Sequence, residues 1–323
     1  MSPGGALIAG PREGIFFSWR GERGQYLAIG DATHNTYALV RGPVPPGSGP
    51  PPHVQRREDE GFYVLSGSLA FTAGSAKVTV PRGGFLNVRS GTAHTFRNEG
   101  REPADVLVFV APAGFDRFQL EVGRRLEGPD APPDPPSDAE VARLRAAAPR
   151  YGIEIDPPRA AFERVPEITV RQPGEGRAYD VVGDRYTFLA SGAETGGRYA
   201  LVEAIVPPGG GPPPHRHSRE EEAFFVLDGR VRFTADGRST DAGPGTFVHL
   251  PSGSTHSFRN ETGSPARMLI LVAPAGFENL FVEIGRPVTD RRSPPAPPNP
   301  ATIERLLAAA PRYGLEIFPP QPG

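Results

Sequence analysis

Short runs of alternating apolar and polar residues fill much of the chain, among them Phe62 to Phe71, Lys77 to Val80, His94 to Arg97 and Val106 to Ala111. Gly, Pro and Ser break them at regular intervals. A period of two turns one face of each run inward, so the pattern predicts many short strands in a sandwich or barrel. Pro-rich stretches follow, GPDAPPDPPSD and SPPAPPNPAT, where proline favours an extended, semi-rigid connection. One short helix is then predicted after each. Ser137 or Asp138 can cap the first, with Val141, Leu144 and Ala147 spaced for one face. Thr302 is expected to cap the second, with Ile303, Leu306 and Leu307, and Pro149 and Pro311 help to end the two. Each helix is expected to cover the open side of its own barrel or its neighbour's.

The strand pattern occurs twice. His53 and His215 stand 162 residues apart, as do His94 and His256, Asn98 and Asn260, the APAGF runs at Ala111 and Ala273, and RYGIEI at Arg150 and RYGLEI at Arg312. One unbroken offset over that span means a tandem duplication without net insertion. Upstream the match slips by two residues, Tyr26 answering to Tyr186. The chain therefore divides into residues 1–160 and 161–323, with the boundary expected between Pro157 and Pro166.

Composition narrows the chemistry. With 323 residues and 37% hydrophobic content, each half can bury its own core. No run is long and apolar enough to span a bilayer, and MSPGGALIAGPREG lacks the basic and apolar regions of a secretory signal. A net charge of −2 with interspersed signs argues against nucleic-acid or membrane-surface partners. The absence of Cys excludes disulfides, thiolate catalysis and cysteine metal sites, and fits a cytoplasmic protein. Lys77 is the one lysine and sits in an ordinary alternating run, so Schiff-base chemistry is set aside.

In the second unit, PPPHRHSREEE places His215 and His217 two apart, on one face of a strand. Glu222 follows five residues after His217, so it can rejoin them only if SREE contains a turn or bulge. Phe224 and Val226 share the parity of Glu222. His256 arrives from another strand, with Phe258 and Asn260 on its parity. Taken singly, an HxH pair in a strand is more often structural than ligating. Three imidazoles and a carboxylate converging inside a barrel would instead suit one divalent transition metal: Fe, Ni, Cu, Co or Zn, with Mn admitted by the carboxylate.

The order and spacing of these residues resemble the two motifs of the cupins. GGGPPPHRHSREEEAFFVLDG is similar to the first, with His215, His217, Glu222 and Gly229; GTFVHLPSGSTHSFRN is similar to the second, with Gly245, Pro251, Gly253, His256 and Asn260. With the duplication, the whole chain resembles a bicupin. The resemblance implies a mainly β fold of two tandem double-stranded β-helix (jelly-roll) barrels, each followed by a short helix. The PPPH lead-in, FFVLDG and terminal helices carrying YGIEI and YGLEI resemble the quercetin 2,3-dioxygenase type more than seed-storage or oxalate-degrading bicupins.

That resemblance implies a metal at His215, His217, Glu222 and His256, with Glu222 also the general base. O2 would be the co-substrate in ring opening of a flavonol-like enol with release of carbon monoxide. Phe224, Val226 and Phe258 would wall the substrate pocket. The same ligand set could instead serve a non-redox isomerase, cyclase or lyase, and a non-catalytic ligand-binding bicupin is the third reading. A homodimer is compatible with the fold implied. The first unit departs from the pattern: PPPHVQRREDE keeps His53 and Glu60, and His94 follows, but Gln55 replaces the second His and Arg89 stands where Pro251 does. His53, Gln55, Glu60 and His94 are then either a site kept for packing or a loose metal or ligand site. Arg89 would serve an anion if it faces inward.

Overall fold

A computed structural model describes residues 5–319 of the chain. Its contacts form two units, one of Arg12–Gly174 and one of Glu175 onward joined by the stretch ending at Pro11. The division differs from a cut at residue 160 because strands cross it. Ile168–Arg171 pairs with Phe85–Val88, and Leu7–Ala9 pairs with the strand Phe247–Leu250.

Each unit is an eight-stranded sheet facing a five-stranded one, all pairs antiparallel, as alternating runs of this length require. In the second unit, the larger sheet runs through Phe247–Leu250, Glu221–Asp228, Ala266–Ala273, Ala200–Val206 and Asp184–Ala190. The smaller one carries Val231–Ala235, His256–Arg259, His215–His217 and Leu315–Ile317. The run Phe62 to Phe71 is two strands, Asp59–Ser66 and Ser68–Ala73, split at Gly67. Gly67 and its counterpart Gly229 turn with φ of +73° and +74°, and a Cβ on Gly229 would lie 2.8 Å from Ala266 Cα.

Aromatic rings fill the space between sheets at equivalent places. Phe224 meets Phe233 and Phe258 at 5.0 and 5.5 Å between ring centroids; Phe62 meets Phe71 and Phe96 at 5.1 and 5.5 Å. Such pairs add about 1 kcal/mol each beyond the area they bury. Asn98 and Asn260 close a loop in each barrel. The buried Asn260 amide donates to Val206 O at 2.9 Å and Ser264 O at 2.8 Å, while its oxygen accepts from Thr262 N. Asn260→Ala is expected to lower unfolding free energy by about 3 kcal/mol, because buried carbonyls lose their donor. Urea denaturation measures this, and a cost under about 1 kcal/mol would contradict the clamp.

The helices depart from expectation in three ways. Each unit has an additional two-turn one, Phe115–Val122 and Glu278–Ile284, between the last barrel strand and the Pro-rich stretch, and the second unit also has the single turn Gly192–Thr195. The predicted helices are Asp138–Ala147 and Pro300–Ala309. Ser137 caps the first, its Oγ accepting from Glu140 N at 3.2 Å, but Asn299 caps the second in place of Thr302. Pro300 at the first helical position, its φ preset, starts that helix three residues earlier than expected.

The buried faces also differ. Leu144 and Ala147 pack inward while Val141, Ile303 and Leu307 lie exposed, since each helix touches its barrel along one narrow edge. Leu144 and Ala147 meet Phe118, Val122 and Ile153, so the first helix covers its own barrel. YGIEI and YGLEI are strands: Gly152 and Gly314, in left-handed turns, end the preceding helical segment and release Ile153–Ile155 and Leu315–Ile317.

Candidate metal centre

The strand His215–His217 lies between Leu315–Ile317 and His256–Arg259, and His215 stands directly opposite His256. Alternation turns His217 to the same side as His215. Residues between this strand and Glu221–Asp228 carry the chain from the small sheet to the large one, held by Ser218 N donating to Gly314 O at 2.9 Å. That crossing resolves the parity conflict of Glu222, which faces the three histidines from the opposite sheet. All four side chains are buried, and one ligand atom from each lies within 4.8 Å of the others.

The rings converge on Glu222 Oε2. His256 Nε2 is 2.8 Å away, His217 Nε2 3.3 Å and His215 Nε2 3.9 Å. Backbone carbonyls orient two of the rings from behind, Pro213 O at 2.9 Å from His215 Nδ1 and Ser254 O at 3.1 Å from His256 Nδ1. His217 is held differently: Glu220 Oε2 lies 3.7 Å from Nδ1, and Phe277 packs edge-on at 4.3 Å. Neither nitrogen of His217 makes a hydrogen bond, although its side chain is 1% exposed.

Burial alone would raise the Glu222 carboxyl, but His217, His215 and His256 outweigh it and hold it well below the usual carboxylate range. Burial lowers His215, whereas Glu222 and Glu220 overcome burial at His217 and bring it to about 9. Three imidazoles, one ionised carboxylate and an orphaned ring nitrogen fit a divalent transition metal, whose charge would replace the His217 proton.

The first barrel repeats the frame with one ligand changed. His53 stands opposite His94, and Glu60 Oε2 lies 3.5 Å from His53 Nε2 and 2.8 Å from His94 Nε2. Burial notwithstanding, the two histidines lower Glu60 to about 2. Gln55 is 1% exposed and neither atom of its amide makes a hydrogen bond. Arg89 does not offer itself to an anion: Asp59 lies 3.5 Å and Glu167 4.0 Å from its Nε.

Each barrel has a cavity against its cluster. The first is about 180 Å³, lined by His53, Glu60, Phe62, Phe96, Phe118 and Leu144 among others. The second is about 70 Å³ and includes His215, Glu222, Phe258, Phe277 and Phe281. Phe258 thus reaches the cavity, while Phe224 and Val226 pack in the core between sheets. Asp184 and Tyr186 also line this cavity. Sequence reasoning used Tyr186 only to align the repeat; its place beside an acid two residues earlier on one strand face was the available signal.

The cupin domain family matches residues 42–110 and again residues 202–272. Over 306 residues the chain is 24% identical to the quercetin 2,3-dioxygenase of Bacillus subtilis (strain 168), covering 91% of this chain and 90% of that protein. Among solved structures, it is similar to oxalate decarboxylase from Lactobacillus farciminis in a formate complex. The TM-score is 0.58 at 14% identity, over 85% of this chain and 90% of that one. It is also similar to procruciferin, an 11S globulin of Brassica napus, with TM-score 0.55 at 12% identity over 84% and 85% of the two chains. At such identities the structural likeness speaks for the fold alone.

Proposed function

The chain is a bicupin, with a cupin domain in each half, and on that footing we propose that it is a metal-dependent dioxygenase acting in its C-terminal barrel. Its substrate is a flavonol-like or other enolic aromatic molecule. The observation that carries this reading is the buried convergence of His215, His217 and His256 on one oxygen of Glu222, at the wall of an apolar cavity. The likeness to quercetin 2,3-dioxygenase over 91% of the chain supports the reaction class. Completeness of the donor set, not cavity size, favours this barrel over the first.

A divalent transition metal held by those four side chains would supply Lewis acidity toward an enol oxygen and a centre for O2. Glu222, kept ionised by the imidazoles, is placed to take the enol proton on Oε2. Phe258, Phe277 and Ile270 give the cavity flat apolar walls that receive a ring and exclude water. In flavonol ring opening one O2 is consumed, two carbon–carbon bonds break and one carbon leaves as carbon monoxide.

Protein loaded in turn with Fe, Mn, Ni, Co and Cu is expected to consume O2 and release carbon monoxide in equal amounts from quercetin with at least one metal. Glu222→Ala is expected to lose about a hundredfold or more in rate. Absence of both gases' signals with every metal would overturn the proposal. Turnover of an enol that persists without O2 would assign the site to Lewis-acid isomerase or lyase chemistry.

A further inference from the structure

The cavity of the second barrel has a polar end that the histidine cluster does not use. Asp184 opens the strand Asp184–Ala190, and Tyr186 follows on the same face. Both line the cavity that His215 and Glu222 share, and they are only 2% and 6% exposed. Tyr186 Oη donates to Asp184 Oδ2 at 3.3 Å, while Oδ1 makes no well-formed hydrogen bond, the Gly211 N–H approaching the carboxyl only loosely. The loop above makes room for that oxygen, since a Cβ on Gly210 would lie 2.5 Å from it, and the next residue, Gly211, lines the cavity. A buried carboxyl oxygen without a donor is costly, and what relieves it is an incoming O–H or N–H group.

The first barrel holds an acid at the same turn: Glu22 pairs with Trp19 as Asp184 pairs with Val181, and it too lines its barrel's cavity. Strand pairing keeps the 162-residue offset through this hairpin, since Tyr26 pairs with Val40 as Phe188 pairs with Val202, so Tyr186 answers to Gly24 and not, as the sequence suggested, to Tyr26. Tyr26 Oη donates to the neutral Gln119 Oε1 at 2.5 Å, and the Phe17 ring occupies the space that a Cβ on residue 24 would need. In the second barrel the position of Gln119 is taken by Phe281, which stacks on Tyr186 at 4.3 Å between ring centroids. Glu22 accepts from Ser48 Oγ, whereas Gly210 stands at the position of Ser48 in the second barrel, so Asp184 lacks that donor and has Tyr186 beside it instead.

We propose that Asp184 and Tyr186 form a second anchoring point in this cavity, holding a hydroxyl group on the part of the substrate remote from its enol oxygen. The inference rests on the C-terminal cavity being the substrate site and narrows its substrate class to enolic aromatics that carry a further hydroxyl. Asp184 Oδ1 accepts from that hydroxyl, while the bond from Tyr186 to Oδ2 fixes the carboxyl plane. The stacked Phe281 ring holds Tyr186 in turn. Burial, outweighing the Tyr186 and Gly211 donors, pushes Asp184 up to about 7, so a ligand donor would meet a group whose charge is poorly compensated.

Anaerobic titration of the metal-loaded protein with quercetin and with 3-hydroxyflavone tests this. The two share the enol, but only quercetin carries other hydroxyl groups. The wild type is expected to bind quercetin about tenfold tighter, one charge-assisted hydrogen bond's worth. In Asp184→Ala that ratio should fall to about one with metal content unchanged. Asp184→Asn, of the same shape and still offering an acceptor oxygen, should recover part of it. A wild type that binds both equally, or an Asp184→Ala variant that keeps the preference, would overturn the anchor and leave the dioxygenase proposal standing. A metal-loaded wild type that binds neither compound would overturn the flavonol reading and the anchor together.

Discussion

His217→Gln is expected to reduce the metal content of the purified protein from about one ion per chain to about a tenth of that or less. Of the four proposed ligands, His217 has no other employment: both ring nitrogens lack a hydrogen bond, and its side chain is sealed from water. Glutamine substitutes a neutral carbonyl oxygen of low affinity for an imidazole-preferring ion. The first barrel already contains this exchange at Gln55, within a frame where His94 and His53 approach Glu60 at 2.8 and 3.5 Å. Gln55→His is accordingly expected to raise the metal content toward two ions per chain. Elemental analysis of the three proteins side by side decides the matter. Equal metal in wild type and His217→Gln would move the centre out of the second barrel.

Asp184→Asn should stabilise the metal-free protein at pH 8 by up to about 4 kcal/mol and have little effect near pH 4. Burial is the chief cause that raises the folded carboxyl to about 7 from its ordinary value of 3.8. A raised folded pKa means that the native state binds the proton more tightly than the unfolded chain does. Its contribution to stability is therefore complete below about pH 4 and is lost as pH rises through about 7. Asparagine keeps the shape without the charge, so the variant escapes that loss. Urea denaturation at several pH values would show the two curves diverging above pH 4; parallel curves would show that the Asp184 carboxylate is solvated.

The sequence carried most of the barrel architecture because sheets with one buried face must alternate, as Ser68–Ala73 and Val231–Ala235 do. The centre was legible for a different reason. Glu222 falls on the wrong parity for a continuous strand, and only a turn in SREE could reconcile it with His215 and His217; the chain makes that turn by passing between sheets. The failures share a cause. Phe115–Val122 and Glu278–Ile284 are two-turn helices whose apolar residues can equally continue a strand pattern. Ile303 and Leu307 had helical spacing, but spacing does not say how wide a stripe the barrel will cover. Asp184 became significant only through Gly210 and the cavity, neighbours that no local pattern brings together.

The pairing of Leu7–Ala9 with Phe247–Leu250 bears on how the chain is made. These residues leave the ribosome before either barrel's other strands, yet Leu7 has no partner until His249 has been synthesised. The first barrel meets no such delay, since its late strand Ile168–Arg171 joins Phe85–Val88, already translated. Domains tend to fold as they emerge, so the first barrel can close while the segment preceding it still waits for the second. An unpaired strand edge during that interval is open to intermolecular pairing. Translation speed across the second half thus becomes a determinant of yield, independent of the stability of the finished protein.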